Sequence, residues 1–173
     1  MANIYNKKRL RCWLNSINTA NGFRKENRRT HIYSRHIDIS DMQMKDRLRH
    51  IPFQRDEIIA SSRFHDECAA IMATCACLRL HENELLEYLA SDRQEMFHMS
   101  RDFKYTIGES FVKETNWEQM FPMSRVIVVV AKTEDKQNPL KIITAYPIFT
   151  MDEVDGVWDA IDDWLKKREK KQW

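Results

Sequence analysis

Two histidines five residues apart, His31 and His36, stand in the cationic run RRTHIYSRHID, with Arg28, Arg29 and Arg35 beside them and Arg47 eleven residues beyond His36. Histidine can give and take a proton near neutrality, and cationic neighbours favour its neutral, base-competent form. Arginine keeps its charge and presents a planar fork that matches phosphate oxygens. Far along the chain, KIITAYPIF (Lys141 to Phe149) interrupts an apolar run with Thr144 and Tyr146. A period of two puts that pair on one face of a strand, with Ile143 and Ala145 on the other. These residue types suit proton transfer at an anionic substrate without a cofactor. Each also has a plainer reading, the histidines as surface or capping residues and the Thr144–Tyr146 face as wet surface.

Other chemistries find little footing. Helical metal ligands sit three or four residues apart, so the five-residue spacing of His31 and His36 is not a usual metal pattern, and no third ligand is evident. Cys68, Cys75 and Cys77 lie in the apolar run CAAIMATCACL, where cysteine reads as a small buried hydrophobe, and Cys12 stands apart. No GxGxxG, GxxxxGK[ST], GxSxG or HExxH motif occurs. His50, His65, His81 and His98 have no partner pattern and read as surface residues. No apolar run reaches the length of a membrane span, and the N-terminus lacks the apolar core of a signal peptide. A cytoplasmic site of action is therefore expected.

The net charge of +2 hides an asymmetry: residues 1–36 carry nine Lys or Arg against one Glu. The remainder must be acidic overall, so the N-terminal part suits a polyanion or an acidic protein. A length of 173 residues makes one domain the default.

These groups need elements to hold them. Leu10, Trp13, Leu14 and Ile17 predict an amphipathic helix over residues 5–20, stopped by Asn21-Gly22. A short helix is expected over Met42–Leu48 with Ser40 or Asp41 as its cap, and Pro52 closes that segment. Asp66–Leu80 and Glu82–Ala90 read as two further helices. The β-branched run Val126–Ala131 and the stretch Leu140–Ile148 read as an antiparallel pair. A last helix carries Val154, Val157, Trp158, Ile161, Trp164 and Leu165 on one stripe, with acids early and cations late. Helices, then strands, then a helix define an α+β class, with N-terminal helices on a twisted antiparallel sheet and an added C-terminal helix.

The order of these pieces resembles the bacterial ribonuclease A-like domain found at the C-terminus of contact-dependent growth inhibition toxins. The matching residues are THIYSRHI, Arg47 eleven residues after the second histidine, ASSRFHD from Ala60, the helices over 66–90, IGES from Ile107 and ITAYP from Ile143. The resemblance spans Arg29 to Ile148, giving a basic N-terminal helix (1–28), a family core (29–149) and a helical extension (150–173). Two departures stand out: Arg63 separates the serines from Phe64, and about 25 residues continue past TAYP.

The resemblance implies that His36, Arg47, Thr144 and Tyr146 form the active site, with His31 as an accessory. His36 would serve as base or acid, Arg47 would hold the non-bridging phosphate oxygens, Thr144 would bond a phosphate or base edge, and Tyr146 would position phosphate or give the second proton. A tyrosine hydroxyl suits an acid better than a base. Arg28, Arg29, Arg35 and Lys141 would contact the RNA backbone. The implied enzyme is a metal-independent endoribonuclease toxin that leaves a 2′,3′-cyclic phosphate and spares DNA, which lacks the attacking hydroxyl. It needs no cofactor, and it needs an immunity protein or antitoxin as a partner. Met1 and the basic helix favour a free-standing toxin over the delivered end of a larger secreted one. The rival readings are a non-catalytic RNA-binding or interaction module and a metal-dependent nuclease.

Overall fold

Leu10, Trp13, Leu14 and Ile17 are all buried, and their spacing makes the first element, α1 (Ala2–Ile17). Each such burial contributes ~1.5–3 kcal/mol. The structure, a computed structural model, describes residues 2–28, 30–52, 57–135 and 137–171. The helix ends before the expected Asn21-Gly22 stop, which instead lies inside a second helix, α2 (Ala20–Glu26). Thr19 starts α2, its hydroxyl accepting from the Gly22 amide at 3.1 Å. Glycine is needed at 22 because a Cβ there would stand 1.7 Å from the Ser16 carbonyl oxygen.

A π-helical turn (Tyr33–Ile37) follows, which no periodicity announces, closed by the Asp38 amide on the Tyr33 carbonyl at 2.8 Å. Then comes α3 (Asp41–Arg49), started by a capping box in which Ser40 and Gln43 bond each other's backbone amides. Strand β1 (Ala60–Phe64) leads to α4 (Glu67–Leu80), capped by Asp66, and to α5 (Glu82–Ala90). The remaining elements are β2 (Phe97–Asp102), β3 (Gly108–Val112), β4 (Met120–Met123), β5 (Arg125–Lys132), β6 (Leu140–Ile148) and α6 (Met151–Lys171).

The α+β class holds, and the strands divide into two antiparallel sheets ordered β1-β3-β4 and β2-β5-β6. Helices α1, α2, α4 and α5 share a core with the inner face of β5 and β6, where Val126, Val128, Val130, Ile142 and Ala145 are buried. Helix α3 packs Met44 and Leu48 with Ile59 and Phe111, and α6 packs Val157 and Ile161 with Val112, Phe121, Met123 and Phe149. The stripe expected on α6 thins toward its end. Leu165 is exposed, and Trp164 is tied by its indole N–H to Glu118 at 3.0 Å. Cys75 and Cys77 are buried as expected, whereas Cys68 is exposed.

The two sheets meet at Gly108. A Cβ there would lie 2.4 Å from the Arg63 carbonyl oxygen and 2.7 Å from Pro147 Cγ, so only glycine lets β6 seat against β1 and β3. That approach brings the outer face of β6 toward the π-helical turn.

Candidate functional site

A cavity of about 660 Å³ opens between β6, β1, the π-helical turn and α3. His31, Arg35, His36, Arg47, Thr144 and Tyr146 all line it, so all five residues expected to be catalytic converge from segments more than 90 residues apart. Ser61 and Ser62 of β1 also line it, together with the apolar Ile51, Ile58, Met123 and Phe149. No carboxylate is found among the described residues of the lining.

Each side chain is delivered by a local device. In β6, Val129 opposes Thr144 while Val130 opposes Ile142, which leaves Ile143 as the extra residue of a β-bulge. The bulge shifts the inward-facing set from Leu140 and Ile142 to Ala145 and Pro147. Thr144 and Tyr146 thus share the outer face, as alternation requires. Ile143 does not join Ala145 on the opposite side: it lines the cavity, because the bulge interrupts the period of two.

His36 sits on the π-helical turn with its Nδ1 3.1 Å from the Ser62 carbonyl oxygen. A carbonyl only accepts, so Nδ1 carries the proton and Nε2 keeps the lone pair. The imidazole stacks on the Tyr146 ring, with centroids 5.5 Å apart and planes inclined by 27°. Burial lowers the His36 pKa to about 4. The Ser62 carbonyl opposes this, and the Arg47 and Arg35 charges reinforce it. At neutral pH the ring is therefore an uncharged base with a free Nε2.

Arg47 stands on α3 and reaches back to the turn, donating through Nη1 to the Arg35 carbonyl at 2.8 Å and through Nη2 to the Ser34 carbonyl at 3.2 Å. Burial and the Arg35 charge lower its pKa from the ordinary value, and it stays a cation. No carboxylate partner satisfies Arg47 or Arg35 in this cavity; the two charges converge where an anion would be held.

The backbone-binding residues fare differently. Arg35 lines the cavity, and Arg28 lines a neighbouring hollow on the other side of the turn, with Tyr33, Ser34 and Glu67. Lys141 does not join them: it is exposed near the other end of β6, in a hollow shared with Lys25 and Asp135, roughly 16 Å of strand from Tyr146. Arg29 lies outside the described residues. Among the other histidines, His81 is partly buried and bonds Glu84 and the Ser100 carbonyl. Sequence reasoning missed the Ser62 carbonyl, a backbone group that no residue type signals.

The depressed pKa has a stability consequence. Between pH ~6.5 and ~4 the unfolded chain binds a proton on His36 that the folded chain refuses, so this contribution is complete above ~6.5 and is lost as pH falls toward ~4. From pH 7 to 4.5, wild type should lose on the order of 2–3 kcal/mol more than His36→Ala in urea unfolding. Parallel losses in the two proteins would contradict the assignment.

The model of the family described as Bacterial CdiA-CT RNAse A domain matches residues 30–147. A solved structure titled "Crystal structure of CdiA-CT/CdiI complex from Y. kristensenii 33638" is similar in fold, with a TM-score of 0.57 at 18% sequence identity. The match covers 68% of this chain and 98% of that one. No curated protein matches the chain.

Proposed function

Because the chain belongs to the bacterial CdiA-CT RNase A domain family, we propose that it is a metal-independent endoribonuclease toxin. The convergence of a neutral, Nε2-free His36 with Arg47 in one cavity, across from Tyr146 and Thr144, carries this reading. Cleavage of RNA without a metal requires a base for the 2′-hydroxyl proton, positive charge for the developing phosphorane, and an acid for the leaving 5′-oxygen.

His36 Nε2 takes the 2′-hydroxyl proton. Arg47 and Arg35 supply the charge, and the incoming phosphate offsets their effect on His36, which raises its basicity once substrate is bound. The attacking oxygen forms a bond to phosphorus as the 5′-oxygen leaves, giving a 2′,3′-cyclic phosphate and a 5′-hydroxyl. Tyr146, held against His36 by stacking, donates to the phosphate or to the leaving oxygen, and Thr144 bonds a phosphate or base edge. His31, at the exposed rim, is an accessory.

A domain of this activity acts where cellular RNA is, in a cytoplasm, and requires a neutralising immunity protein or antitoxin. The fold neighbour was crystallised in a CdiA-CT/CdiI complex, which supports such a partner here. Among the described residues no helix is long and apolar enough to cross a membrane. The test is incubation with total RNA and with single-stranded DNA in EDTA. RNA should be cut and DNA left intact, whereas binding without cleavage would favour a non-catalytic module.

A further inference from the structure

Arg63, the residue that departs from the family pattern between the serines and Phe64, does not line the cavity. It stands in β1 next to Ser62, whose carbonyl accepts the hydrogen bond of His36 Nδ1–H. Its guanidinium reaches three places. Nη1 donates to the Ile39 carbonyl at 3.0 Å and lies 2.8 Å from Asp41 Oδ1, while Nε and Nη2 hold Glu109 Oε1 at 2.9 and 2.6 Å. Glu109 is the cross-strand partner of Arg63 in β3, so the anchor is built into the sheet register.

These contacts close a ring through the active site. His36 bonds Ser62, Ser62 is joined covalently to Arg63, Arg63 holds Ile39, and Ile39 lies three residues beyond His36 on the same backbone. Asp41, the first residue of α3, adds a second tie to the helix that carries Arg47. With the ring intact, the distance from the His36 backbone to the Ser62 carbonyl is set by the sheet rather than by the π-helical turn alone. A single ammonium cannot span a carbonyl and two carboxylates as the guanidinium fork does.

We propose that Arg63 is a positioning residue that acts through His36, holding the Ser62 carbonyl where it selects the Nδ1–H tautomer and leaves Nε2 free. The catalytic consequence rests on the ribonuclease reading above; the tautomer itself does not. The test uses the full chain labelled with ¹⁵N-histidine, with NMR at pH 7 reporting the protonation of each His36 nitrogen, beside RNA cleavage kinetics. Wild type should show His36 protonated at Nδ1 alone. Arg63→Met should show exchange between the two tautomers and a kcat lower by roughly tenfold to 10²-fold, with KM within about twofold. Arg63→Lys, which keeps the charge and the aliphatic stem, should recover part of kcat and still show mixed tautomers, and it provides the readout if Arg63→Met does not fold. A single Nδ1–H tautomer retained in either variant, or absent from wild type, overturns the proposal. A wild-type protein that shows the tautomer and cuts no RNA sinks the ribonuclease reading and leaves the positioning role standing.

Discussion

Replacing His36 with alanine should lower RNA cleavage by ~10²- to 10⁴-fold, the usual worth of a positioned proton-transfer group, while the protein stays folded. The imidazole presents a free Nε2 at neutral pH, because its Nδ1–H donates to the Ser62 carbonyl and burial keeps the ring uncharged. Its removal leaves the Arg47 and Arg35 charges in place, so RNA binding should fall far less than turnover. Folding survives because the ring is outside the main apolar clusters and its chief partners are one carbonyl and the Tyr146 face. Full activity in His36→Ala would remove the base from the mechanism.

The second large effect belongs to Arg47. Arg47→Ala removes both the charge proposed to face the phosphorane and the clamp on the Ser34 and Arg35 carbonyls. A loss of ~10²- to 10³-fold in kcat is expected, the scale seen when one preorganised donor is lost. Arg47→Lys is the sharper variant. It keeps the charge, yet a point-like ammonium cannot hold two successive carbonyls in one plane, so the turn that carries His36 loses its brace. Little recovery by lysine is therefore predicted in initial-rate measurements. A lysine variant near wild-type rate would show that charge alone is what Arg47 provides.

Much of this arrangement was readable from residue types. Ser40 as a cap and the 3.6-residue stripe of α1 placed their helices, since those signals are local. The Val126–Ala131 run marked β5 because β-branched residues suit a pleated, buried surface. Short strands such as β1 (ASSRF) and β4 (MFPM) carry serine, arginine and proline, and they exist because neighbouring strands pair with them. The π-helical turn is likewise a product of tertiary ties: Arg47 grips its carbonyls from ten or more residues away. Asn21-Gly22 misled because glycine serves there for close approach to Ser16 rather than to end a helix.

For the site, period two paired Thr144 with Tyr146, and the family resemblance joined them to His36 and Arg47. Neither could foresee the bulge at Ile143, which depends on the strand opposite. Arg63 looked like a local insertion because its partners, Ile39, Asp41 and Glu109, are spread over 70 residues of chain.

The most direct measurement of the central claim is the chemistry of the cut ends when purified protein digests RNA in EDTA. Attack by the 2′-hydroxyl under His36 predicts a 2′,3′-cyclic phosphate on one fragment and a 5′-hydroxyl on the other, with neither product formed by His36→Ala. Cleavage that stops in EDTA, or that leaves a 5′-phosphate, would contradict it.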